Sequence, residues 1–67
     1  MMEHELLAKS DRQLGICLRM LYAEGLHGPL DIHSEKNAKG KMEFHVILPV
    51  DDTQFEALQK RYQTLIG

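Results

Sequence analysis

The chain has no tryptophan, one cysteine and two prolines among its 67 residues. Each scarcity excludes something. A lone thiol, Cys17, cannot close an intrachain disulfide, so the covalent brace of many small secreted domains is ruled out. No segment approaches the roughly 20 apolar residues that a membrane-spanning helix requires. The opening MMEHELLAK has acids where a secretion signal has bases, and no apolar run of signal length. Charge is nearly balanced, with a net of −2 and acids and bases interspersed. Without a basic block there is no patch to neutralise phosphates, and without more rings there is no base-stacking platform. No glycine-rich phosphate loop follows a strand pattern, because Gly25 and Gly28 come after a helical one. The expected protein is cytosolic and non-enzymatic, with no cofactor, no nucleic acid and no membrane as partner.

What remains is a single domain over residues 1–67. A chain of this length buries only roughly 60% of its unfolded surface, so small folds commonly lean on metal or self-association.

Residues 11–25 read as a helix. Ser10 and Gln13 fit a capping box. Leu14, Cys17, Leu18 and Leu21 recur at spacings of three and four, and Gly25 and Pro29 end the run. Met20 and Tyr22 lie off this stripe, as flank packing or as part of a partner surface. Residues 53–66 read as a second helix with the stripe Phe55, Leu58, Tyr62 and Leu65. Asp51, Asp52 and Thr53 all offer capping oxygens, and Thr53 with Glu56 spells a capping box. Acids there also suit the positive end of the helix dipole. Cys17 on an apolar stripe is packing, and Ser10 and Thr53 are caps rather than nucleophiles.

Two strands lie between the helices, near 30–36 and 42–50. Before Ser10, residues 3–9 fit either a backward extension of the helix or a strand, His4 to Ala8. The strand is the better reading, since a capping box inside a helix would serve nothing and Gly15 weakens a very long helix. The order is then βαββα. This implies an α+β two-layer sandwich: an antiparallel three-stranded sheet in the order 1-3-2, with both helices on one face.

The hairpin register follows from Gly40 and from side-chain alternation. A three-residue loop, Ala38-Lys39-Gly40, places Gly40 where a left-handed residue is needed and sets Asn37 opposite Lys41. Ile32 then faces Val46, Leu30 faces Leu48 and Ser34 faces Phe44 on the covered side. His33 faces His45 and Glu35 faces Glu43 on the other. A slip by one residue would split the apolar set between the faces.

His33, His45, Glu35 and Glu43 thus form a candidate metal site. Directly opposed residues hold their Cβ atoms about 4.5–5.5 Å apart, a spacing two imidazoles can bridge through one zinc ion. The ordinary reading of the same pattern is a solvated face, with Lys36, Lys39 and Lys41 softening the glutamate repulsion. His27 reads as a loop residue at the helix exit, and His4 carries no signal. Leu7 and Ile47 are the apolar residues of the open face, a candidate surface for a homodimer or a protein partner.

Two stretches also carry a resemblance. His4-Glu5-Leu6-Leu7-Ala8-Lys9-Ser10-Asp11, with the helix end Leu21-Tyr22-Ala23-Glu24-Gly25-Leu26, is one. Val46-Ile47-Leu48-Pro49-Val50-Asp51-Asp52 followed by Phe55, Ala57 and Leu58 is the other. Together they resemble a family of small signal-transducing proteins of unknown function. The resemblance spans nearly the whole chain and implies a ferredoxin-like, PII-like arrangement without a final strand. It implies a regulatory role and transfers no catalytic or ligand residues. Where members often carry a longer glycine-rich insertion between the second and third strands, this chain has a tight charged hairpin. A PII-like small-molecule sensor is a further alternative.

Overall fold

A computed structural model describes residues 3–26 and 29–67. The reading of His27 as a loop residue, and with it Gly28, falls outside the described residues. The elements are β1 (His4–Ala8), α1 (Asp11–Ala23), β2 (Asp31–Lys36), β3 (Met42–Leu48) and α2 (Asp52–Ile66). The three strands form one antiparallel sheet in the order β1-β3-β2. This is the βαββα ferredoxin-like arrangement expected from the sequence, and residues 3–9 supply a strand rather than a helix extension.

α1 starts where its cap places it. The Ser10 hydroxyl accepts from the Gln13 N–H at 3.2 Å, and the Gln13 side chain accepts from the Lys9 N–H at 2.9 Å. Two orphan donors at the chain's turn into the helix are thereby satisfied. The helix stops at Ala23, two residues short of the sequence expectation. Gly25 takes φ +90°, the Gly25 N–H donates to the Tyr22 carbonyl and the Leu26 N–H reaches back to Leu21. That pair of bonds is a Schellman ending, and it folds Leu26 against the core. α2 is capped by Asp51, whose carboxylate accepts from the Gln54 N–H at 2.8 Å. The expected Thr53–Glu56 box is therefore displaced: Thr53 lies inside the helix, and Asp51 presents its carboxylate to the free N–H groups two residues earlier.

The hairpin has the expected register. Ile32 pairs with Val46, His33 with His45, Ser34 with Phe44 and Glu35 with Glu43. Gly40 has φ +78°, and the Asn37 N–H donates to the Lys41 carbonyl at 2.8 Å. The Asn37 side chain adds a clamp, its Oδ1 accepting from the N–H groups of Lys39 and Lys41. β3 ends at Leu48, two residues before the expected limit, because Pro49 has no N–H to continue the ladder.

The core lies between the helices and the β1–β3 half of the sheet. Leu6, Cys17, Met20, Leu21, Val46, Leu48, Val50, Leu58 and Tyr62 form one buried cluster. Met20 is thus core rather than surface. Three expectations about the apolar stripes need correction. Leu65 is 48% exposed because it sits on the last turn of α2, and Ile66 packs on the core in its place. Ile32 has the predicted partner but is 41% exposed, since β2 is exposed at every position. Leu30 lies just before β2 and packs partly against the core, outside the strand pairing.

Candidate functional site

The sheet face away from the helices carries the odd-numbered strand residues. Reading across the strands from β2 to β1, Asp31, Ile47 and Glu5 make one row, and His33, His45 and Leu7 the next. Glu35 and Glu43 make a third. Leu7 and Ile47 are half-buried and lie diagonally from each other on neighbouring strands. The six residues assigned to this face from sequence, His33, His45, Glu35, Glu43, Leu7 and Ile47, are all found on it, together with Asp31 and Glu5.

His45, on the central strand, is held from both sides. Its Nδ1 meets a Glu5 carboxylate oxygen at 2.5 Å, and its Nε2 lies 3.6 Å from Glu35. Each carboxylate is a diagonal neighbour, one from each edge strand. Glu5, His33, Glu35, His45 and Ile47 line a shallow depression here. Glu43 turns away, accepting from the Asn37 amide at 3.3 Å. Of the four candidate metal ligands, then, His33, His45 and Glu35 share the depression, while Glu43 belongs to the hairpin tip. Among the described residues, no group of three or more His, Cys, Asp or Glu side chains is arranged to hold a metal ion. Both ring nitrogens of His45 face carboxylates of the neighbouring strands.

Sequence reasoning missed Glu5 as a partner of His45, because the two lie 40 positions apart and meet only through the β1–β3 register. It also passed over His4, which is on the helix side. The His4 ring stacks on Phe55 with centroids 4.3 Å apart, and its Nε2 lies 2.7 Å from Asp52. These contacts pin the start of β1 to the first turn of α2. The signal available was the pair of acids at the α2 N-terminus.

Cys17 is sealed from solvent, and burial pushes its thiol up from 9.0 to about 11. A neutral, inaccessible thiol packs rather than attacks. Tyr62 is also raised, by burial first and by neighbouring Cys17 second. Its hydroxyl donates to the Leu7 carbonyl at 3.0 Å, tying α2 to β1.

The first strand borders a second cleft, of about 380 Å³, lined by Glu5, Leu6, Leu7, Lys9, Gln13, Gln59, Gln63 and Ile66. It runs along the β1 edge that does not pair with β3. Among the described residues, no helix is long and apolar enough to cross a membrane. No family model, curated protein or solved structure matches this chain.

Proposed function

We propose that this chain is a non-enzymatic, cytosolic regulatory module that works by binding protein through its open sheet face. The observation that carries the reading is the placement of half-buried Leu7 and Ile47 on a face that neither helix covers. Around them, His45 is fixed between Glu5 and Glu35. An apolar centre rimmed by oriented polar groups has the composition of a protein-binding patch. The resemblance to small signal-transducing proteins belongs to the same proposal and supports a regulatory role over a catalytic one.

A photo-crosslinking residue placed at Ile47 tests it in cells expressing the chain. A discrete adduct is expected at position 47 and none at Gln54, an exposed position of α2. Leu7→Glu, introduced beside the crosslinker, should abolish the adduct while the circular dichroism spectrum stays unchanged. An adduct indifferent to Leu7→Glu, or no adduct at position 47, would overturn the reading.

A further inference from the structure

The free edge of β1 is unguarded. Sheet edges are ordinarily blunted by proline, a bulge, inward-pointing charge or a covering element. β1 has no proline, its inward residues Leu6 and Ala8 are apolar and buried, and a cleft rather than an element lies along its outer side. We infer that β1 pairs with β1 of a second copy, antiparallel and centred on Leu6, joining two three-stranded sheets into one of six strands.

The register comes from charge. Centring on Leu6 sets Glu3 opposite Lys9 of the second copy, His4 opposite Ala8 and Glu5 opposite Leu7. Two-fold symmetry makes each pairing twice. Glu3 and Lys9 are exposed, and among the described residues neither has an ion-pair partner within the chain. A shift that centres the pair on Glu5 would place two glutamates directly opposite, which is destabilising. The opposite shift, centred on Leu7, sets Lys9 opposite Glu5, whose carboxylate is already engaged by His45, and leaves Glu3 beyond the paired residues.

Residues opposite one another in an antiparallel pair point to the same side. The two Leu6 side chains therefore share a face, and all four helices lie on it. Apart from Glu5 and Lys9, which this register sets opposite Leu7 and Glu3, the cleft walls carry the uncharged Gln13, Gln59, Gln63 and Ile66. The Leu7 carbonyl accepts the Tyr62 hydroxyl with one lone pair and keeps the other for a ladder bond. On the open side, Leu7 of each copy joins a continuous surface, doubling the face proposed above. The inference rests on the reading of the chain as an interaction module and names one partner for it, a second copy.

Size exclusion with light scattering across a concentration series, on the full chain, is the test. Wild type should move from monomer to dimer mass. Lys9→Glu and Glu3→Lys each turn two attractive pairs into repulsive ones and should each weaken the dimer on the order of tenfold. The double reversal should restore it. Amide exchange at Glu5 and Leu7 should slow with increasing concentration in wild type and not in Lys9→Glu. A strict monomer at all concentrations, a dimer indifferent to both single reversals, or a double reversal that stays monomeric would overturn the inference. Ile47 lies on the central strand, away from this edge, so its adduct should persist in Lys9→Glu, which keeps the two readings distinguishable.

Discussion

The two edge strands of one small sheet are built on opposite terms. β1 alternates between buried and partly exposed positions and sits under the helices, with Leu6 and Ala8 sealed. β2 is exposed throughout its length, Asp31 to Lys36, and is rich in charge. Its register with β3 is as continuous as that of β1, yet almost no apolar burial accompanies it. The contrast separates two contributions that are usually confounded. β2 is held by backbone pairing and by its hairpin turn, whereas β1 is held by the core. It also shows which edge is protected: β2 presents Asp31, Glu35 and Lys36 along its length, while β1 keeps its charges to Glu5 and to the flanking Glu3 and Lys9.

Matched truncations break the comparison most sharply. Leu6→Ala removes a 2%-exposed side chain from the core and should cost about 2–5 kcal/mol in denaturant unfolding. Ile32→Ala, on the same face of the sheet but on β2, should cost about 1 kcal/mol or less. Equal losses would mean that β2 is covered after all.

Alkaline unfolding gives a smaller effect, confined to the β1 side. Burial pushes the Cys17 thiol up from its ordinary value of 9.0, which the unfolded chain regains, to about 11. Between these values the unfolded chain has released a proton that the native state retains, so stability falls as pH rises. Thermal melts from pH 8 to 11 should show a declining midpoint. Cys17→Ala should start lower at pH 8 but decline less, with Tyr62 supplying the remaining slope. Parallel curves for the two proteins would remove Cys17 from the account.

The smallest expectation concerns the open face where β2 meets β3. Zinc added at stoichiometric concentration should leave the melting midpoint unchanged, because His45 is already engaged by Glu5 and Glu35. A clear rise, lost in His33→Ala, would show that the depression closes around a cation, since a ligand of the native state raises its stability.

The hairpin and the cap of α1 could be read from sequence because they depend on local chemistry. Gly40 had to take positive φ, and alternation allowed only one pairing of Ile32. Ser10 with Gln13 likewise separated β1 from α1. Alternation says which side of a sheet a residue occupies but not whether anything lies over it. Ile32 was therefore placed on the right face and wrongly expected to be sheltered. The environment of His45 depended on the β1–β3 register, in which partners are some 40 positions apart and no turn residue fixes the alignment. His4 escaped notice for a similar reason, since its partners Asp52 and Phe55 are joined to it only by the packing of α2.

The chain also carries its own clock for structural opening. Its only sulfhydryl has no solvent contact, so a thiol-specific dye can label Cys17 only when the molecule around it comes apart. Labelling rates would then report opening directly, in any variant that keeps this residue. A disulfide between two molecules would need both to open first, so a doubled mass that persists in the presence of a reducing agent reflects reversible assembly.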